Sequence, residues 1–415
     1  MLSNTTVRAV NSLTERWAGL VRTEGGTVFT AAGLWPLLAA LASGADGAAG
    51  KELADALGVP AADAAERSRE LLAALGKLPG VAAAVGLWTE PGLRVSPDWT
   101  AGLPAHVHQP LEGPDIQARL DAWASRHTDG QIDAFPLEVA PGTALLLAAA
   151  LAVRTDWIRP FRPGFLDVEA GPWAGREFAG LYRTTSLLER VAVAETPTGR
   201  VSELRVLGGN GIDVHLLVGE QDARPGEVLS GGLGILAGRH RRVTGDLLPY
   251  GEAGPGVLVM ASRSFVPEHE LFARVARFTV KARHDLLADA ACFGLGAVSR
   301  QEPDGSGHLP GICADQPLVV EAAAQAATAS FGALGFRAAA VSAVATAVGA
   351  AMSPPYRVRR VLFTTDRPFG FLAVHRTSRL VLASGWVDTP DAFDRAELWG
   401  PQDEEESWDE EEPWG

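Results

Sequence analysis

Cysteine is almost absent from this chain. Only Cys292 and Cys313 occur in 415 residues, so no disulfide framework can hold the fold. No CxxC pair and no suitably spaced histidine accompanies them, which argues against a zinc site. We interpret both thiols as small, buried hydrophobic side chains and expect no metal and no cofactor.

Long apolar runs are also missing. No stretch of about eighteen apolar residues continues without glycine, proline or charge, so a membrane-spanning helix is not expected. Residues 1–4 lack the charged and then apolar composition of a secretory signal. We therefore expect a cytoplasmic protein, and export by a non-classical route is the alternative.

Positive charge is in deficit. The formal net charge is −14, which argues against nucleic acid or an anionic membrane as the main partner. Eight of the carboxylates lie between residues 403 and 412. A segment this acidic cannot bury enough apolar surface to fold alone, so residues 393–415 are predicted to be a disordered, solubilising tail. A docking peptide built on Trp408 and Trp414 is the alternative.

The first third of the chain has the apolar spacing of amphipathic helices. These segments end at glycine, proline or Asp-Gly pairs, which are ordinary helix stops. The predicted helices lie near residues 7–21, 34–41, 48–57, 62–75 and 116–127.

The rest of the chain is richer in short strand-like segments. The strands are predicted at residues 145–153, 201–207, 214–218, 257–260, 278–282, 318–320, 361–363, 369–374 and 380–387. The last two are joined by polar residues 376–378, which suit a hairpin turn. Helices followed by strands favour an α+β fold over a regular βαβ series.

Residues 338–351 do not fit an ordinary α+β pattern. Their sequence, AAAVSAVATAVGAA, contains no charge, proline or aromatic residue. Alanine favours a helix, but the recurring Val, Ser and Thr residues suit a strand. The segment could therefore be helical in one setting and extended in another.

Several short windows carry a family resemblance through their joint order and spacing. They read FTAAGL at 29–34, LDAWA at 120–124, TDGQI at 128–132, WIRPF at 157–161, FTTDRPF at 363–369 and GWVDTP at 385–390. From about residue 7 to residue 390 the chain resembles a serpin, of the bacterial, actinobacterial type. The resemblance implies a single serpin domain over residues 1–392. It further implies eight or nine helices, one large and two smaller β-sheets, and an exposed reactive-centre loop.

The alanine-rich segment falls where a serpin carries that loop. The resemblance implies that a serine protease cleaves the loop, becomes acyl-linked to it, and is trapped when the freed arm inserts into the large sheet. The chain would then be a monomeric inhibitor and not an enzyme, and no nucleophile–base constellation argues otherwise. The hinge implied by the resemblance is Gly335, Phe336, Arg337, Ala338, Ala339, Ala340 and Val341.

The reactive bond is expected within a window of five residues, which are Gly349, Ala350, Ala351, Met352 and Ser353. Every candidate bond follows a small or unbranched apolar residue. The implied target is therefore an elastase-like or subtilisin-like protease with a small apolar primary pocket.

Several positions depart from the family pattern. Ala333 and Leu334 stand where acidic side chains are usual, and Phe336 replaces a usual Thr or Ser. Below the sheet, the predicted switch residues are Gly33, Ala149 and Gln325, in place of the usual Ser, Asn and His. A bulky Phe336 must find a pocket or slow insertion. The alternative function is a non-inhibitory, serpin-like binding or structural protein whose loop is only a protease substrate.

Overall fold

The fold is seen in a computed structural model of the chain. The structure describes residues 2–22, 24–104, 107–113, 115–135, 137–140, 142–301, 307–336 and 355–394. Most of the predicted tail, residues 395–415, lies outside this part of the chain, and so do residues 337–354.

Eight α-helices are described, six of them before residue 130. Ser3 caps the first helix by accepting a hydrogen bond from Thr6 N, and its apolar face is buried. The third helix ends at Gly58, whose φ of +67° is the left-handed conformation that favours glycine. The helices are α1 (Asn4–Ala18), α2 (Ala31–Ala42), α3 (Gly47–Leu57), α4 (Ala61–Leu75), α5 (Pro97–Ala101), α6 (Ile116–His127), α7 (Pro225–Leu236) and α8 (Ala290–Phe293).

The strands form three main sheets and one short pair, and are numbered β1 to β20 along the chain. A five-stranded sheet has the order β15-β16-β4-β2-β3, in which β16 and β4 are parallel neighbours. Its strands are β2 (Val81–Thr89), β3 (His108–Pro110), β4 (Leu145–Val153), β15 (Phe278–Asp285) and β16 (Ala322–Phe331).

A seven-stranded sheet has the order β1-β20-β19-β10-β9-β8-β11. Its strands are β1 (Thr27–Phe29), β8 (Val191–Thr196), β9 (Gly199–Val206), β10 (Ile212–Gly219), β11 (Arg242–Thr244), β19 (Phe369–His375) and β20 (Val381–Val387). A short 3-10 helix, Leu188–Arg190, leads into β8.

A six-stranded sheet has the order β12-β13-β18-β14-β7-β6, and β17 pairs with β5 alone. The six strands are β6 (Arg162–Asp167), β7 (Glu177–Thr185), β12 (Gly251–Gly254), β13 (Val257–Ser264), β14 (Glu270–Ala276) and β18 (Tyr356–Thr364). The short pair is β5 (Thr155–Asp156) with β17 (Gly335–Phe336).

The five-stranded sheet separates two apolar cores. The odd-numbered residues of β4, such as Ala149, face the large core shared with α1 and α2. Even-numbered residues, such as Ala148, face a smaller cluster under α6 that contains Trp88 and Trp123. Among the described helices, none is both long and apolar enough to cross a membrane.

The α+β prediction is confirmed: the five predicted helices correspond to α1–α4 and α6, and eight of the nine predicted strands correspond to observed strands. Helices α5, α7 and α8 and the other described strands are not among the predicted elements. The predicted strand at 318–320 is wrong: the chain there is irregular, and β16 begins only at Ala322. Leu318 and Val320 are buried, so their apolar character serves packing rather than strand pairing.

Candidate functional site

The segment predicted to be the reactive loop begins and ends in different sheets. It follows β17, which pairs with β5, and it precedes β18 of the six-stranded sheet. Part of the hinge and the whole bond window therefore lie outside the described residues, and their roles stay predictions. These residues are Arg337, Ala338, Ala339, Ala340, Val341, Gly349, Ala350, Ala351, Met352 and Ser353.

The chain reverses in a tight turn directly after β16. Gly332 N donates to Gly335 O at 2.9 Å, which closes the turn. Trp157 holds the turn from outside: its main-chain N donates to Leu334 O at 2.8 Å, and its indole Nε1 donates to Gly332 O at 2.9 Å. Strand β16 therefore ends at Phe331, and the chain turns back before the predicted hinge begins.

The first two residues of the predicted hinge pair with β5, which follows directly after β4. Gly335 lies opposite Asp156, and Phe336 lies opposite Thr155, in antiparallel register. A Cβ atom at Gly335 would lie 2.3 Å from Thr155 O, so only glycine allows the backbones to approach this closely. The hinge therefore starts as a docked strand, β17.

Phe336 occupies an aromatic pocket. Its side chain is 1% exposed, and its ring centroid lies 5.9 Å from that of Phe371. Phe371 in turn contacts Phe278 at 5.1 Å, and Phe278 stacks on Phe331 at 5.6 Å. The residue that the sequence marks as a steric obstacle is thus already accommodated in the native state.

One buried polar side chain lies on the seam between the neighbouring strands β16 and β4. Gln325 lies beside Ala149 in the parallel register and is fully buried. Its Oε1 accepts from Thr30 N at 2.8 Å, and its Nε2 donates to Thr30 O at 2.8 Å. Two amide hydrogen bonds therefore tie β16 to the start of α2.

The third predicted switch residue meets the other two at the same place. Gly33 N donates to the hydroxyl of Thr30 at 3.1 Å, which caps α2. A Cβ atom at Gly33 would lie 3.2 Å from Thr30 Cγ2 and 3.5 Å from Leu151 Cβ, a tight fit against β4. The structure thus brings Gly33 and Gln325 to Thr30, and Ala149 lies beside Gln325.

A histidine on β15 completes this region. His284 lies opposite Gln325 in the antiparallel register, and its Nε2 donates to Val28 O at 2.9 Å. Its ring makes an edge contact with Trp17 at 5.2 Å. Burial lowers the pKa of His284 below its ordinary value, although the bond to Val28 opposes this effect.

A second polar group lies between α7 and the seven-stranded sheet. Glu203 is buried and accepts from His215 Nδ1 at 2.6 Å and from Arg242 Nη1 at 3.2 Å. Burial alone would raise the pKa of the Glu203 carboxyl, but His215 and Arg242 lower it. Asp213 and Arg376 form a neighbouring pair at 2.6 Å, and both pairs line a cavity of about 330 Å³.

Sequence reasoning missed the partners that hold the hinge and the seam. Thr30 appears in a family window, but nothing in the sequence shows that its backbone binds Gln325, 295 residues away. His284 sits in a strand of alternating exposed and half-buried residues, where no pattern singles it out. Within the described residues, no group of three or more His, Cys, Asp or Glu side chains could hold a metal ion.

Comparisons with known proteins agree with this architecture. Residues 5–168 match the family described as "Serpin (serine protease inhibitor)". A rice protein named as serpin-Z6C (Oryza sativa subsp. japonica) is 24% identical over 94% of this chain and 96% of its own length.

Two solved structures share the fold at low sequence identity. Human thyroxine-binding globulin, in complex with thyroxine, has a TM-score of 0.69 at 14% identity and covers 94% of this chain and 99% of its own. Mouse protein-Z dependent protease inhibitor has a TM-score of 0.66 at 14% identity and covers 94% of this chain and 97% of its own. The chain therefore has the serpin fold, and its residues 5–168 match the family described as serine protease inhibitors.

Proposed function

We propose that the chain inhibits a serine protease by covalent trapping, with residues 337–354 as the bait loop. The observation that carries the proposal is the docked hinge at the top of the seam between β16 and β4. The target would be an elastase-like or subtilisin-like enzyme, since the bond window contains only small or unbranched residues.

The direction of the hinge suits insertion. β5 directly continues β4, and β17 runs antiparallel to β5. A strand that continued from Phe336 would therefore run antiparallel to both β4 and β16, which are parallel to each other. Insertion would replace one parallel pairing by two antiparallel pairings, which are slightly more stable per residue.

The register of β17 supports a specific alignment for the proposed inserted arm. Gly335 opposite Asp156 and Phe336 opposite Thr155 fix the offset. Continued without a bulge, this offset brings Ser342 opposite Ala149, beside Gln325. Phe336 and Ser342 would share the inward face, because side chains alternate along a strand. A small hydroxyl residue would then arrive where the seam is polar.

The side chains along the seam leave room for a new strand. β16 reads AAAQAATASF, and the middle of β4 is three alanines, so little bulk must move. The twelve residues 337–348 span about 40 Å when extended, against about 33 Å for the ten residues of β16. The arm is thus long enough to traverse the sheet before a cut in the bond window.

The target supplies the covalent chemistry. Its serine Oγ attacks the carbonyl of the residue before the cut, the peptide C–N bond breaks, and the new amine takes the proton. An ester then links the protease to the arm. Inhibition requires that insertion deform the protease before water attacks that ester. The energy for this deformation would come from strain that is stored in the intact protein and released on insertion.

The test is incubation with one elastase-like and one subtilisin-like protease, followed by a denaturing gel. A boiling-resistant band at the summed mass is expected. As a matched control, Ser342→Asp would place an unpaired carboxylate in the closed sheet, which costs several kcal/mol. The control should be cleaved without forming that band. Clean cleavage of the unmodified chain, with no covalent band, would refute trapping.

A second candidate function is the binding of a small ligand. The cavity under α7 is lined by Glu203, Arg205, His215, Arg242 and Arg376 among others, and Arg205 Nε is buried without a hydrogen-bond partner. Thyroxine-binding globulin shares the fold and binds thyroxine. Calorimetric titration with thyroxine and simpler aromatic carboxylates tests this reading. Binding that is lost in Arg205→Gln, without any trapping of proteases, would favour it.

A further inference from the structure

Three arginines gather beside the hinge. Arg183 on β7 places its guanidinium 4.2 Å from the centroid of the Phe161 ring and donates to Arg159 O at 2.9 Å. Arg159 is exposed and donates to the hydroxyl of Thr185 at 3.3 Å. Together with Arg190 we name these residues the arginine cluster.

The arginine cluster is short of negative charge. Within the described part of the chain, Arg190 alone of the three has a carboxylate partner, the exposed Glu189 at 3.7 Å. Burial, with Arg159 and Arg190 nearby, lowers the pKa of Arg183 to about 10. Neighbouring like charges repel one another, so a bound anion would be favourable at the arginine cluster.

The chain itself contains a matching anion. Residues 403–412 carry eight carboxylates and no basic residue, with Trp408 in their middle. A guanidinium group binds carboxylates in a fixed, two-bond geometry and also stacks on aromatic faces. An acidic peptide with an embedded tryptophan therefore suits the arginine cluster in both respects.

The tail can reach the cluster from where the described chain ends. The ring of Phe393 lies 5.8 Å from the ring of Phe165 on β6. Phe165 is six residues from Arg159, which is at most about 21 Å of extended chain. The nine residues from Asp394 to Asp403 can span about 30 Å. The acidic run thus begins within reach of the arginine cluster.

We propose that residues 403–412 of the same molecule dock on the arginine cluster formed by Arg159, Arg183 and Arg190. Phe161 lies under the Arg183 guanidinium and donates its main-chain N–H to Ala333 O at 2.8 Å. A tail docked on Arg183 would therefore lie next to the residue that holds the turn before the predicted hinge. The tail therefore braces the turn from which the loop departs. This inference does not depend on whether the protein traps a protease.

The test is disulfide trapping in the full-length chain, with Cys292→Ser and Cys313→Ala as background. Ser186→Cys lies just after Thr185 and keeps all three arginines, and it is combined with Ser407→Cys. The matched control combines Ser407→Cys with Asp167→Cys, which is exposed and closer along β6 to the tail's point of attachment. A freely moving tail would close the control pair at least as fast.

If the tail docks, the disulfide in the Ser186→Cys, Ser407→Cys variant should form several-fold faster under mild oxidation than the disulfide in the Asp167→Cys, Ser407→Cys variant. Salt at about 0.5 M should remove the difference by screening, and so should the triple change Glu404→Gln, Glu405→Gln and Glu406→Gln. Equal rates that salt does not affect would overturn the proposal. A disulfide found only between two molecules, as a dimer on a non-reducing gel, would overturn it as well.

Discussion

Replacing Phe336 by threonine should lower the free energy of unfolding without increasing the fraction of protease that is trapped. Phe336 is 1% exposed and packs on Phe371, so the change removes a buried aromatic ring and buries a hydroxyl. Truncations of buried phenylalanine to alanine cost about 3–5 kcal/mol. Because threonine keeps more of the side chain than alanine does, we expect about 3 kcal/mol here, at the lower end of that range.

The loss of stability should be the same in the intact form and in the loop-cleaved form. Phe336 already lies on the inward face and in register with β5, so insertion leaves it in the same pocket. At about 2 °C per kcal/mol for a chain of this size, both melting temperatures should fall by about 6 °C. The difference between the two forms should not change.

The assay pairs thermal melting with the fraction of protease trapped per cleavage event. Phe336→Leu, which keeps apolar bulk, is the matched control and should show a smaller fall in melting temperature. A several-fold rise of the trapped fraction in Phe336→Thr would refute the reasoning. Such a rise would mean that the bulk of Phe336 does limit the first step of insertion.

Two further predictions concern Gln325 and the neighbouring His284. Gln325→Leu keeps the volume but leaves Thr30 N and O without partners, at about 1–3 kcal/mol for each buried group. The melting temperature of the intact Gln325→Leu variant should be lower than that of the unmodified chain. The control variant Thr328→Ala, on the same strand, should change the melting temperature little. The pKa of His284 is lowered in the fold, so its contribution to stability is fully present above its unfolded pKa of about 6.5 and is lost as pH falls. Unfolding free energy measured from pH 7.5 to 5 should fall less steeply in His284→Gln, and an unchanged slope would contradict this assignment.

Much of the fold could be predicted because its periodicity is strong. The apolar run at 145–153 gives β4 with its observed limits, since a strand buried on both faces needs no alternation. Helix α7 was not predicted because its glycines lower helix propensity. The structure shows why they are there: a Cβ atom at Gly232 would lie 2.1 Å from the side chain of Leu217.

The site could be predicted only in part. The resemblance located Gly33, Ala149 and Gln325; in the structure Gly33 and Gln325 both contact Thr30, and Ala149 lies beside Gln325. The pocket for Phe336 could not be predicted, because Phe371 joins it through tertiary packing that no local pattern encodes. From its size alone, Phe336 would be expected to slow loop insertion. In the structure it is buried against Phe371 and holds β17 in place.

The proposed inhibition requires that the loop enter the seam between β16 and β4 once it is cut. The most direct measurement compares the melting temperatures of the intact chain and of chain cleaved within residues 349–353. A large rise on cleavage is expected for the unmodified sequence, and little or no rise for Ser342→Asp, whose carboxylate would be buried beside Gln325. Equal melting temperatures for intact and cleaved unmodified chain would contradict insertion and leave a serpin fold whose loop is only a protease substrate.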